Sequence, residues 1–452
     1  AIELQPFTQI VPGDGSVTLR VLAAGSGTLS YQWKKNGVNI ANATNATLVL
    51  NNVQFGDSGN YTVVVSNSSG SATSAAAVLT VNVAPFLAAS PRSQTLFSGQ
   101  NLILGAAIDG TAPLAYQWRF NGAPIAGQTN ALLFVPLVAT ANAGDYDVVV
   151  TNSVGAVTSS VAGVVVNPMP TDRVVVAWGD NQYDATTVPT GLSGLVAVAA
   201  GSGYNLVLKS DGTVFAWGYS VISGGSVLAG LSNVVAVAKG SWHSLALKND
   251  GTVVAWGDNV FGQATVPEGL GGVVAVAGGG LHSLALKNDG TVVAWGRNSD
   301  SQSTVPAGLS GVVGIAGGGT HSLALKSDGT VVAWGWGAYG ITTVPSALTG
   351  VVAVAAGEKH SLALKSDGTV LAWGNNDFGQ TNVPPGLNGV VAIAGGGNHN
   401  LALKSDGTGV VWEDNAFGQT NVPVGLSGVV AVAGGYQHSL ALMSGPPAIV
   451  TQ

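Results

Sequence analysis

The stretch His321-Ser-Leu-Ala-Leu-Lys-Ser-Asp-Gly-Thr-Val-Val-Ala-Trp-Gly335 decides how this chain is read. It recurs with small changes through the C-terminal two thirds, and its tryptophans, Trp178, Trp217, Trp256, Trp295, Trp334, Trp373 and Trp412, stand 39 residues apart at every step. So strict a period marks a repeat architecture. Within each copy Leu323-Ala-Leu325 and Val331-Val-Ala-Trp334 are short β-rich apolar runs. Asp328-Gly329 lies between them and suits the positive φ angles of a tight turn, so each copy predicts a β-hairpin.

Upstream of the hairpin lies a run such as Val351-Val-Ala-Val-Ala355, a third strand of small residues suited to the crowded centre of a radial array. Downstream comes Gly379-Gln380 and then Val383-Pro384 before the next copy. Three or four strands per repeat make one blade. The ends set the count: residues 172–179 supply only the outer half of a repeat, and residues 429–443 only the inner half. The halves complement each other, which predicts a seven-bladed β-propeller closed by pairing the first strand with the last.

The pattern Gly-Gln-x-x-Val-Pro, Val-x-Ala-x-Ala-Gly, His-Ser-Leu-Ala-Leu, Asp-Gly-x-Val-x-Ala-Trp-Gly resembles the repeat of the chromosome-condensation-regulator propeller family. It is most similar to that family's secreted bacterial branch, which includes a β-lactamase inhibitory protein. In that branch aromatic residues just before the motif histidine contribute to the inhibitory face. The matching positions here are Gly203, Trp242, Leu281, Thr320, Lys359, Asn398 and Gln437, a single aromatic among them. This departure argues against β-lactamase inhibition.

The N-terminal third has a different logic. Val17, Leu19, Val21 and Ala23 alternate on one strand, Tyr31-Gln-Trp33 follows, and Asp57-Ser-Gly-Asn-Tyr61 precedes Val63. Residues 1–83 therefore resemble an immunoglobulin-like sandwich, with Trp33 as its buried tryptophan, Tyr61 as its tyrosine corner, and Val21 and Val63 at the disulfide positions. Residues 84–167 repeat the plan, with Leu102, Leu104, Ala106 and Ile108 alternating, then Tyr116-Gln-Trp118 and Gly144-Asp-Tyr146. Ala106 and Val148 take the cysteine positions there. The expected fold class is all-β: two immunoglobulin-like domains, 1–83 and 84–167, then the propeller over 168–445. Residues 446–452 are a linker or the start of a further immunoglobulin-like strand, because Ala448-Ile-Val-Thr-Gln452 resembles Ala1-Ile-Glu-Leu-Gln5.

Composition bounds the function. Of 452 residues only 8% are charged and 46% are hydrophobic, with 66 glycines and no cysteine. Disulfides, thiol catalysis and cysteine metal sites are thereby excluded. No apolar run is long enough to span a membrane. The formal charge of −7 divides into −1 over residues 1–168 and −6 over the rest, a balance that speaks against nucleic acid as a partner. The chain begins at Ala1 without a methionine, which suits a mature secreted protein, extracellular or at the cell surface, and equally an excised fragment.

All six histidines, His243, His282, His321, His360, His399 and His438, fall at one repeat position, with Tyr204 in the seventh. A group copied in every blade offers one kind of chemistry, whereas catalysis needs different groups converging. The histidines are therefore expected to bond loops within their own blades, and no catalytic, cofactor or metal site is expected. The Asp-Gly aspartates have a turn role already. Asn-x-Ser/Thr matches at Asn42, Asn45, Asn60 and Asn67 are read as chance in an Asn/Thr-rich domain. Phe261, Phe378 and Phe417 share Asn-x-Phe-Gly-Gln and are expected to pack their loops.

Residues that break the repeat are the better candidates for contact. Tyr183, Tyr204, Trp242, Trp336, Tyr339 and Tyr436 fall in loops where other blades carry different residues, and unrepeated loop aromatics are plausible anchors for a partner. The expected function is a non-enzymatic extracellular structural protein. It would be a modular bacterial surface stalk or filament subunit that self-associates head to tail, adds a strand through residues 448–452, or continues as tandem modules. The alternative is an adhesin or inhibitor-like module whose propeller face binds another surface protein or a glycan.

Overall fold

The computed structural model describes residues 1–168, 173–219 and 227–444. The described residues are strands joined by turns, with three single-turn 3-10 segments and no α-helix. They fall into two compact units: residues 1–88 with 108–117 and 148–159, and residues 89–107 with 118–147 and the remainder from 160.

In the first unit the sheet order is Gln9–Pro12, Ala77–Asn82, Gly59–Asn67, Ser30–Lys35, Val38–Asn39, with Gly70–Thr73 alongside Gly59–Asn67. Val17–Arg20 pairs with Thr47–Leu50 to form the facing layer. Alternation of buried and exposed residues along Val17–Arg20 and Gly59–Asn67 places Leu19, Trp33, Tyr61 and Val63 in one core. Val21 and Val63, at 5% and 0% exposure, fill with packing the space a disulfide would cross-link. Trp33 donates its indole N–H to the Asn45 carbonyl at 2.9 Å, and the Tyr61 hydroxyl donates to the Asp57 carbonyl at 2.8 Å. Both large aromatics thus bury their rings without orphaning a donor.

The second sandwich contributes to both units. In the second unit Gln94–Phe97 pairs parallel with Ala162–Asn167, and Leu102–Gly105 pairs with Leu132–Val135. Trp118 and Tyr146 repeat the indole and hydroxyl bonds of the first sandwich, to Asn130 and Asn142. The outward side of its Leu102–Gly105 and Leu132–Val135 sheet is not solvated. Ile103, Leu132 and Phe134 pack against Val274, Val292 and Val313 of the repeat region, and the Leu132 N–H donates to the Asn288 carbonyl at 3.0 Å. Arg92 and Asn101 donate to the Val351 and Val235 carbonyls, both at 2.9 Å.

Among the described residues the repeat region holds seven three-stranded antiparallel sheets, three strands to each repeat. The inner strand is Val-Val-Ala-x-Ala-x, the middle one His-Ser-Leu-Ala-Leu-Lys and the outer one Val-x-Ala-Trp-Gly. A bulge early in each inner strand, between Val273 and Ala275 for example, lets the adjacent Val273 and Val274 both be buried. One sheet joins the two extremities: Arg173–Gly179 pairs with His438–Ser444, which pairs with Val429–Gly434.

The hairpin turns differ in detail from a two-residue Asp-Gly turn. Lys209 N–H bonds the Thr213 carbonyl across a three-residue loop, and only Gly212 takes a positive φ, at 76°. The aspartate instead ties the turn: Asp211 accepts from the Thr213 N–H at 3.0 Å and from its hydroxyl. This is a turn with a glycine bulge, and it needs a left-handed residue at one position only.

Candidate binding face

Two rings of hydrogen bonds, both in the second unit, hold the seven sheets to one another. The first is made of side chains. Nε2 of His243 lies 2.9 Å from the Ser283 hydroxyl of the next sheet, and His282 with Ser322 and His321 with Ser361 repeat that distance. His360 meets Asn400 at 2.7 Å, His399 meets Ser439 at 3.0 Å and His438 meets Asn205 at 2.6 Å. Tyr204 completes the series with its hydroxyl 3.2 Å from Ser244. The histidines were expected to bond within their own blades. Each reaches instead to the neighbouring sheet, because the middle strand places its imidazole at the junction and not over its own loop.

The proton positions follow from the partners. Asn400 Nδ2 donates to the Gln380 carbonyl at 2.8 Å, which turns its Oδ1 toward His360 Nε2. Nε2 must therefore carry the proton. The same reasoning holds at Ser283, whose hydroxyl donates to the Gln263 carbonyl at 2.8 Å and so receives from His243. The opposite ring edge lies against glycine: a Cβ at Gly240 would stand 2.1 Å from His243 Cε1. Burial holds the imidazoles neutral, pushing His243, His321 and His399 down to about 3 and His282, His360 and His438 to about 4.

The second ring is backbone. Ser202 donates to the Ser241 carbonyl, Ser241 to Gly280, Gly280 to Gly318, Gly319 to Glu358, Glu358 to Gly397, and Gly397 to Tyr436. Tyr436 N–H then donates to the Gly201 carbonyl at 3.1 Å, which returns the series to its start. No single sheet curls shut; the closure runs between sheets. The inner strands converge closely enough that a Cβ at Gly278 would fall 2.4 Å from the Gly240 nitrogen.

The ring surrounds an axial depression of about 100 Å³ at the end of the sheets opposite the Asp-Gly turns. At that end Lys239 replaces the glycine or alanine of the other repeats. Its ammonium donates to the His243 carbonyl at 2.8 Å and sits 3.0 Å from the centre of the Tyr204 ring. Burial holds its pKa well below the usual lysine range. Glu358 lies in the same depression, and burial pushes its carboxyl upward.

The sequence-selected aromatics divide. Tyr183, Tyr339 and Tyr436 are exposed, at 38%, 53% and 44%, and Trp242 and Trp336 are half-buried beside them. Trp336 meets Tyr339 edge-on with ring centres 5.6 Å apart. Tyr204 is withdrawn from the face: it is 2% exposed and serves the side-chain ring in place of a histidine. Tyr219, which sequence reasoning passed over, links Tyr183 and Trp242 at 4.7 and 6.0 Å into one aromatic group. Its signal was available, since it follows Trp217-Gly218 at a position where other repeats carry Asp, Arg, Trp or Asn.

Phe261, Phe378 and Phe417 correct another expectation. They are exposed at 50%, 54% and 47%, while the neighbouring Gln263, Gln380 and Gln419 are fully buried. The glutamine is the packing residue, because its Oε1 accepts the phenylalanine N–H at 2.8 to 2.9 Å and leaves the ring outside. The carbonyl of that glutamine receives two donors from the next sheet, Trp295 Nε1 and Ser283 Oγ in the case of Gln263. Residues 448–452, the segment expected to add a strand to a neighbouring molecule, lie outside the described residues.

Comparison with known proteins finds family matches in two regions of the chain. Residues 195–221, 234–263, 273–302, 312–341 and 351–380 match the Regulator of chromosome condensation (RCC1) repeat, and residues 1–67 match the Immunoglobulin domain. The chain is 31% identical to Hemicentin-1 of Homo sapiens over 115 residues, covering 24% of this chain and 2% of that protein. It is 32% identical to HEPACAM family member 2 of Mus musculus over 130 residues, covering 26% of this chain and 28% of that protein. The chain therefore spans only a small part of the curated relatives it matches. Among solved structures, the ectodomain of the Physcomitrella patens receptor kinase CR4 is similar over 60% of this chain and 71% of that one, with 20% identity and a TM-score of 0.45. The titin Ig tandem domains A164-A165 cover 37% of this chain and 97% of theirs, with 17% identity and a TM-score of 0.31.

Proposed function

We propose that this chain has a non-enzymatic structural or adhesive role outside the cell or at its surface. On this reading residues 168–445 form a seven-bladed β-propeller behind immunoglobulin-like domains at 1–83 and 84–167. The observation that carries it is the side-chain ring. Its imidazoles, hydroxyls and amides are committed to bonds between sheets, and the turn aspartates are committed to their threonines. The repeat therefore spends its polar groups on rigidity and leaves the display of surface to the loops. Such a module suits a bacterial surface stalk or filament subunit of the secreted branch, joined to copies of itself.

The exposed, unrepeated aromatics favour a second reading, in which the loop end grips a surface protein or a glycan. One set of measurements decides between them. Light scattering and electron microscopy of the purified chain at high concentration give assemblies for a structural subunit, and a strictly monodisperse monomer overturns that role. For the adhesive role, Trp242→Ala with Trp336→Ala abolishes capture of the partner while circular dichroism stays unchanged; capture that survives both substitutions overturns it.

A further inference from the structure

We propose that the loop end of the repeat region receives a cationic side chain, a lysine or arginine of a partner polypeptide, at Tyr436, Glu358 and Asp414. The inference rests on the adhesive reading above and names the chemistry of its partner.

The first argument is the distribution of charge between the two ends of the sheets. At the turn end each carboxylate has its own cation: Lys209 with Asp211, Lys248 with Asp250, and four further pairs built the same way. That end is neutral. At the loop end Asp180, Asp258, Glu358, Asp377, Glu413 and Asp414 have no ion-pair partner among the described residues. The cations there are Arg297, already held by Asp300 at 3.1 Å, the buried Lys239, and Lys359. These groups leave the face that carries the exposed aromatics at −4, seven acids against three cations, which is most of the −6 of the C-terminal region.

The second argument is local geometry. Glu358 N–H donates to the Gly397 carbonyl and Gly397 N–H to the Tyr436 carbonyl, so the backbone ring sets Glu358 and Tyr436 two links apart around the same depression. Asp414 and Glu358 both bear electrostatically on the Tyr436 hydroxyl, adding to the burial that raises its pKa. The Glu358 carboxylate is half-buried and, among the described residues, forms no hydrogen bond or ion pair; the charge of the neighbouring Lys359 offsets only part of the burial that pushes its pKa upward. A partly desolvated carboxylate without a partner is stabilised strongly by an incoming positive charge. An exposed tyrosine ring beside it offers the negative face of its π system to that same charge.

Other occupants fit less well. A neutral glycan stacks on aromatic faces but leaves these carboxylates uncompensated, and a phosphate-bearing nucleic acid is repelled by them. A basic polypeptide satisfies the ring and the charge together, and it reaches into a depression of about 100 Å³ with a single flexible side chain.

The test uses the full chain and three probes of equal length, hexalysine, a Gly-Ser hexapeptide and hexaglutamate, together with a neutral hexasaccharide, by calorimetry at low salt. Hexalysine is expected to bind about tenfold or more tightly than the other three, with affinity falling as salt rises. Tyr436→Leu, and Glu358→Gln combined with Asp414→Asn, each weaken it by about fivefold to tenfold, whereas Tyr436→Phe keeps it within about twofold. Equal binding of hexalysine and the Gly-Ser peptide, preference for the hexasaccharide, or indifference to these substitutions overturns the proposal. Should hexalysine fail while Trp242→Ala with Trp336→Ala still abolishes capture of a partner, the adhesive reading stands and the cationic partner falls.

Discussion

The imidazole ring makes stability a steep function of pH between about 4 and 6.5, and the sign follows from where each proton resides. In the unfolded chain a histidine titrates near 6.5, whereas in the folded chain the six stay neutral down to about 3 or 4. As pH falls below about 6.5 the unfolded state takes up protons that the folded state refuses, so acid favours unfolding. At pH 5 each histidine contributes about 2 kcal/mol to that preference, and six contribute about 12 kcal/mol, as much as the whole folding free energy of an ordinary domain at about 5–15 kcal/mol. The turn aspartates do not confuse the window. Their carboxyls are held below the usual range by the Thr hydroxyl and N–H, Asp367 and Asp406 down to about 2, so their stabilisation is lost only below about pH 4. Equilibrium urea unfolding, followed by tryptophan fluorescence at pH 7, 6, 5.5 and 5, reads the effect directly, because the repeat tryptophans are buried. The midpoint is expected to fall continuously and to approach zero denaturant near pH 5. His321→Gln lowers stability at pH 7 but flattens the slope by about 1.4 kcal/mol per pH unit below pH 6. A midpoint that stays level from pH 7 to pH 5, or a slope unchanged by His321→Gln, refutes the reasoning.

Two further outcomes test the packing. Gly105→Val introduces a side chain whose Cβ meets Val313 Cγ1 at 2.8 Å and Leu132 Cδ2 at 2.7 Å, so it destabilises by about 1–3 kcal/mol and exposes residues 89–107 to limited proteolysis; unchanged protease resistance contradicts the contact. Lys239→Met removes a buried amine that, among the described residues, bonds the His243 carbonyl and the Ser244 hydroxyl but no carboxylate, and it stabilises the chain by about 1 kcal/mol or more at pH 6. The gain shrinks as pH rises from 6 to 9, because the folded amine, its pKa depressed by burial, gives up its proton before the unfolded one does; equal or greater gain at pH 9 in urea unfolding rules out this account.

Much of the architecture was legible because its causes are local and repeated. A period of 39 residues, Asp-Gly turns and apolar runs of strand length give three strands per repeat without reference to anything distant. The complementary half-repeats at the two ends were legible too, and Arg173–Gly179 does share a sheet with His438–Ser444. The docking of the second sandwich left a fainter trace. Ile103 and Phe134 stand where the first sandwich has Thr18 and Val49, so both sides of that sheet are apolar in the second copy. Such loss of alternation marks a sheet covered on both sides.

The destination of the histidine bond was not legible. Sequence places His321 at the start of a strand, but only packing of neighbouring sheets brings it to Ser361, 40 residues on, instead of to its own loop. For the same reason Tyr204, chosen for breaking the repeat, proved to be a buried substitute in the ring, and Glu358, an unremarked acid, proved to lie on the axis. Sequence by itself determined which residues form strands and how often, because backbone conformation and hydrophobic alternation are set by near neighbours. Tertiary structure alone decided which side chains meet, because the gathering of the inner strands brings together seven positions that lie far apart along the chain.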